Sequence, residues 1–207
     1  MRARVVALLV GLLALPALAE AEEPASARAS VLGERIDVGT VSHPEHGVQW
    51  GRAEAVVDAR PDDVLAVLHD YSQYAGLFPY FQKSKVLSQR GSDAIVYLEA
   101  KVLHGAATLW SQVRMRGNQS GDVTVVEARM MKGKGNIDQL LARWEVSPVN
   151  GGEKSLVVFQ LLVDPDLPVP DGIVSDEMRK GAGKAMRALR QRVYQRVSYA
   201  SRRPSAT

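Results

Sequence analysis

Two hydrophobic periods divide the chain. From Val96 to Met115 apolar and polar residues alternate: Val96, Leu98, Ala100 and Val102 against Tyr97, Glu99 and Lys101, then Leu109, Ser111, Val113 and Met115 against Trp110, Gln112, Arg114 and Arg116. A period of two predicts half-buried antiparallel strands. Further strands are predicted at Val123 to Met130, Leu140 to Val146 and Leu156 to Val163, with glycine in each intervening gap, as in Gly117 to Gly121 and Asn150-Gly151-Gly152. Regular spacing of this kind describes a meander. Upstream, Gly51 to Asp58 reads as a strand, preceded by extended chain that folds back near His43-Pro44-Glu45-His46-Gly47.

The helical period appears twice. Pro61-Asp62-Asp63 opens a short helix, with proline in the first turn and acids at the positive end, and Val64, Leu65, Val67 and Leu68 give it a buried face. It is expected to end near Tyr71, and a second short piece, Ser72 to Leu77, leads into Phe78-Pro79. After a proline-rich stretch, Asp164 to Pro170, a long helix is predicted from about Asp171 to Ser198. Its stripe is Val174, Met178, Ala182, Ala185, Leu189 and Val193. Gly181 and Gly183 interrupt it at a cost of about 1 kcal/mol each relative to alanine, so either another element comes close there or space is left open.

These elements predict an α+β fold: a curved antiparallel sheet of about six to seven strands wrapped around the long C-terminal helix, with two short helices after the first strand. A twisted sheet does not close tightly at its wide end, and a cavity is expected there. Its predicted lining is Val96, Leu98, Ala100, Leu109, Val113, Met115, Val126 and Met130 from the sheet, with Met178, Ala182 and Ala185 from the helix. Tyr74, Phe78 and Tyr80 are expected to form the entrance rim, hinged at Gly76; ordinary packing of the short helices on the sheet is the competing account of the same aromatics.

The order of these motifs resembles the START-like (SRPBCC, helix-grip) superfamily, in its polyketide cyclase/dehydrase and coenzyme Q-binding branch. The likeness runs from about residue 36 to residue 197. It is carried by Asp70-Tyr71-Ser72-Gln73-Tyr74 running into Phe78-Pro79, by Ser84-Lys85-Val86-Leu87 at the next strand, and by Trp144-Glu145-Val146-Ser147-Pro148 followed by a glycine turn and Leu156-Val157. The resemblance implies a helix-grip domain over residues 35–198 whose sheet and long helix enclose a hydrophobic small molecule such as a lipid or quinone. It names no particular ligand.

The ends and the charge narrow the context. Arg2 and Arg4, the apolar run Val5 to Leu15, Pro16 and Ala17-Leu18-Ala19 form the three-part layout of a signal peptide, cleaved after Ala19. Export to the periplasm or beyond is therefore expected; the apolar run falls well short of the roughly 20 residues a spanning helix needs. Residues 20–34 and 199–207 read as disordered segments, small and polar with little to bury. Losing residues 1–19 removes two arginines and no acid, so the formal charge falls from +3 to +1. A near-neutral chain lacks the basic footprint of a nucleic-acid binder. A monomer is expected, with at most transient contact with a membrane.

Candidate chemistry is sparse. There is no cysteine, and Pro44 prevents the helix that would bring His43 and His46 onto one metal; no metal or other cofactor is expected. His69, beside Asp70 at a helix end, reads as a cap whose imidazolium would suit the negative pole. Phosphate-loop, nucleophile-elbow and paired-carboxylate signatures are absent. The leading expectation is therefore non-catalytic binding, with transport as an extension of it. A cyclase- or dehydratase-like enzyme, using Tyr97, Glu99 or Arg114, is a second reading. An interaction module with a collapsed cavity and an exposed Trp110 face is a third.

Overall fold

The computed structural model describes residues 23–42, 48–102, 105, 107–133, 137–164 and 168–201. The expected signal peptide, the His43 to His46 turn and the chain beyond residue 201 lie outside them.

Among the described residues eight strands form one antiparallel sheet: β1 (Ile36–Val41), β2 (Trp50–Val57), β3 (Phe81–Arg90), β4 (Asp93–Val102), β5 (Ala107–Ser120), β6 (Val123–Gly133), β7 (Gln139–Val149) and β8 (Lys154–Asp164). The order across the sheet is β1-β2-β8-β7-β6-β5-β4-β3. A helix, α1 (Ala25–Leu32), precedes the sheet, and the chain crosses from β2 to the far edge through α2 (Pro61–Leu68) and α3 (Tyr74–Leu77) before returning strand by strand. This is the helix-grip arrangement, with more strands than the six or seven expected. The strand that alternation did not reveal is β3, at the sheet edge. Its pairing shifts register twice, Leu87 is exposed and Val86 only partly buried, so its period is too weak to read.

Register sorts the residues into two faces. Pairings of Ala53 with Phe159, Phe159 with Trp144, Trp144 with Val126 and Val113 with Val96 run one apolar face through the sheet. The long helix α4 (Asp171–Ser201) packs against β1, β2 and β8. It continues past Ser198, so residues 199–201 of the expected tail are helical. At the narrow end the C-terminal half of α4 (Leu189, Val193) and α2 (Val64, Val67, Leu68) close a solid core with Val96, Val113, Val126 and Val146.

The two glycines singled out in α4 have distinct reasons. A methyl group at Gly183 would meet both methyls of Val38, at 3.2 and 3.3 Å, so β1 packs directly on the helix there. Gly181 faces Leu161 and the Tyr80 hydroxyl.

Residues 25–32, expected within a disordered linker, are the helix α1. It buries no residue, which is why the hydrophobic pattern does not announce it. It rests on β2, β7 and β8, held by Arg28, whose Nε donates to Glu54 at 2.7 Å. Glu54 is buried and also pairs with Arg52. Glu54→Ala should therefore loosen α1. The two arginine side chains are 22% and 25% exposed, so water moderates the loss, and about 1–2 kcal/mol is expected. Amide exchange over residues 25–32 should accelerate while α4 keeps its protection.

His69 is the C-cap of α2, but not as a cation. Its Nε2 is buried without a hydrogen-bond partner, close to Gly117, and burial lowers its pKa below the usual 6.5. The unfolded chain then takes up the proton first. Stability from this group is full above about pH 6.5 and falls as the pH drops from there through the lower folded-state pKa. Denaturant midpoints should decline on the acid side of that value, and His69→Gln should flatten the slope.

Candidate functional site

At the wide end, between the N-terminal half of α4 and the sheet, lies a cavity of about 510 Å³. Small helix residues make the room: Gly181 and Ala185 line it, whereas Leu189 and Val193 further along the helix fill the core. Met178 forms part of the wall, and its sulfur accepts the Val163 backbone N–H at 3.2 Å, pinning the helix to the end of β8.

Of the residues expected to line the cavity, Leu98, Ala100, Leu109, Met115, Met178 and Ala185 stand in its wall. Val96, Val113, Val126 and Ala182 do not: they are fully buried in the solid core. Met130 packs partly buried against that core, also away from the wall. The reason is depth along the strand. Alternation identifies the inner face but not where along it the helix and sheet separate.

Tyr74 and Phe78, expected at the entrance, are inner-wall residues only 3% and 4% exposed. The Tyr74 hydroxyl donates to the Leu68 carbonyl at 2.6 Å, and complete burial, with Tyr71 and Asp70 nearby, holds its pKa well above 10. Phe78 stacks on Trp144, and Trp144 on Phe159 at 3.8 Å between centroids. Gly76, the expected hinge, lies within α3, and its carbonyl accepts from Arg192 at 3.4 Å. Tyr80 is the half-buried aromatic of the three. Its hydroxyl donates to the Gly181 carbonyl at 3.3 Å, and its pKa is pushed up to about 12, first by burial and then by Glu177, against the opposing charge of Arg187.

The wall contributed by β7 and β8 is one that sequence pattern did not assign. Leu140, Ala142 and Trp144 of β7 and Phe159, Leu161 and Val163 of β8 form it. In β8 the residues Leu156 to Phe159 are apolar without a gap, which conceals which of them face inward.

Most of the lining is apolar. Its charged members are Lys101, Glu177, Lys180 and Lys184, and Ser111 is a buried hydroxyl in the wall. Tyr97, Glu99 and Arg114, the candidates for chemistry, are not in the wall. The Tyr97 hydroxyl donates to Glu99 at 3.1 Å and Lys83 reaches the same carboxylate, whose pKa is lowered chiefly by the Lys83 hydrogen bond. Trp110 is half-buried, stacks on Tyr97 at 5.9 Å and is among the residues that line the cavity. Among the described residues no three His, Asp or Glu side chains converge as a metal site.

The family described as polyketide cyclase/dehydrase and lipid transport matches residues 51–197. Among proteins of curated function none matches. Solved structures share the fold at low identity. A STAR-related lipid transfer protein from Xanthomonas axonopodis superposes with a TM-score of 0.68 at 18% identity, covering 77% of this chain and 94% of that one. The Zhui aromatase/cyclase from a Streptomyces species gives 0.57 at 19%, covering 72% and 94%. Human StAR-related lipid transfer protein 5 gives 0.62 at 10%, covering 77% and 82%.

Proposed function

We propose that this chain, which belongs to the polyketide cyclase/dehydrase and lipid transport family, binds a hydrophobic small molecule in the cavity beneath α4 and does not alter it chemically. The observation that carries the reading is a cavity of about 510 Å³ walled by Leu98, Leu109, Met115, Leu140, Trp144 and Phe159. That volume lies within the range of ligand pockets, roughly 300–1,000 Å³. A guest burying about 400 Å² of apolar surface would gain on the order of 10 kcal/mol before the costs of immobilisation.

General acid–base chemistry needs a proton-transferring group within reach of the substrate. In the wall Ser111 has no basic side chain hydrogen-bonded to it among the described residues, and the lysines and Glu177 are exposed or half-buried rather than set deep in the cavity. Open volume also argues against an interaction module with a collapsed interior. Lipid and quinone are the two ligand classes proposed, carried by a monomer whose contact with membranes is transient.

Extraction of the purified protein with organic solvent, followed by mass spectrometry, tests the reading. One apolar compound recovered near stoichiometry from the native host is the expected result; repeated empty extracts from native and expression hosts would sink it. Export is proposed alongside, and the intact mass of protein from the native host should correspond to a chain beginning at Glu20.

A further inference from the structure

We infer that the ligand is an anionic amphiphile with one compact or single-chain apolar body, its acidic head held at the mouth by Lys101 and Lys184. The inference rests on the binding function proposed above and narrows it. Size sets the first limit. One water's share of liquid volume is about 30 Å³ and a chain methylene takes about as much, so 510 Å³ is room for on the order of 17 such groups. A single acyl chain or a small fused-ring body fits such a space, and a complete two-chain lipid does not.

Charge sets the second. Four side chains of Lys or Glu contribute to the lining, three of them lysines. Lys180 is committed to Asp176 at 2.6 Å and to Glu177 at 3.4 Å, and Arg179 also holds Asp176. Those contacts balance the carboxylates at this end of α4. Lys101 and Lys184 have no carboxylate partner among the described residues. Lys184 instead stands with its Nζ 5.5 Å from the centre of the Tyr80 ring, and the backbone N–H of Lys101 donates to the Tyr80 carbonyl at 3.1 Å. Tyr80 thus contacts the Lys184 ammonium on α4 and the Lys101 backbone on β4, so both lysines stem from the neighbourhood of one residue. Its hydroxyl is already engaged by the Gly181 carbonyl, so a ligand head meets ammonium groups there.

An apolar wall with uncompensated cations at one end selects an amphiphile by orientation: the body enters and the acid stays outside. Both lysines are exposed, so each contact is screened and the selectivity is moderate.

Displacement of Nile red by palmitate and by its uncharged counterpart cetyl alcohol reads this directly, in the full chain and in Lys101→Gln/Lys184→Gln. Palmitate should bind about tenfold more tightly than the alcohol to the parent. The preference should shrink to about twofold or less in the double variant and at high salt, palmitate losing more affinity than the alcohol, with the melting temperature unchanged. Equal affinities in the parent, or a preference that survives loss of both lysines, would overturn the inference and leave hydrophobic binding intact. Failure of both probes to displace Nile red would also overturn it. Failure together with empty solvent extracts would remove the binding function itself.

Discussion

Replacing Gly51 by alanine is expected to destabilise the domain by about 3 kcal/mol or more, the largest effect of a methyl group added at any described glycine. In β2 the backbone of Gly51 lies directly beneath α4. A methyl there would overlap the Met178 carbonyl and come within 2.8 Å of the Arg179 backbone nitrogen. The obstacle is helix backbone, which cannot rotate aside as a flexible side chain can. Either α4 lifts or β2 moves, and β2 is hydrogen-bonded on both sides, to β1 and β8. A lifted helix would also weaken the contact between the Met178 sulfur and Val163, so the cavity roof should loosen with the core. At about 2–4 °C per kcal/mol for a domain of this size, the melting temperature should drop by about 6–12 °C. Gly39→Ala on β1 is the matched control. Nothing lies within 4 Å of the added methyl there, and a change within about 0.5 kcal/mol is expected. Equal melting temperatures for the two variants would show that the helix does not sit on β2 as described.

Gly51 also marks a limit of sequence reading. Gly181 and Gly183 stand out because glycine is costly inside a helix, but Gly51 opens a strand where glycine attracts little notice. Its partner, Met178, is remote in sequence, and the closeness of two backbones leaves no hydrophobic period behind. The fold itself was legible because most inner-face strands alternate cleanly and the final helix carries one stripe. Elements held by polar contacts were not. α1 buries no side chain and depends on Arg28 reaching Glu54, a pairing that follows only once β2 is in place.

The cavity was legible by face and not by depth. Val96 and Leu98 are two residues apart on the same side of β4, yet Val96 belongs to the packed end and Leu98 to the open end. What separates them is the side chain opposite. The helix presents Leu189 and Val193 to the core and Gly181 and Ala185 to the cavity. The taper was visible in α4 alone, as small residues in its first half and larger ones in its second. Mapping it onto individual strands requires the crossing position of the helix, which no local pattern encodes.

Ala142→Trp should cut ligand occupancy at least tenfold while leaving the fold in place. Ala142 sits on the inner face of β7, paired with Ala128 and Leu161, and all three line the cavity. An indole adds about nine non-hydrogen atoms; packed at interior density these claim on the order of 140 Å³, about a quarter of the 510 Å³ available. A guest sized for the whole space then loses its apolar contacts, and at roughly 25 cal/mol per Å² even 100 Å² of forfeited burial costs more than 2 kcal/mol. Occupancy measured by solvent extraction and mass spectrometry should therefore fall at least tenfold. Stability should hold or rise, because the indole replaces open space with contacts to Trp144 and its neighbours. Arg129→Trp provides the contrast: Arg129 is exposed, on β6 opposite Leu141, and the same indole placed there should leave occupancy unchanged. A well-folded Ala142→Trp protein that still carries its compound at parental stoichiometry would place the binding site elsewhere in the molecule.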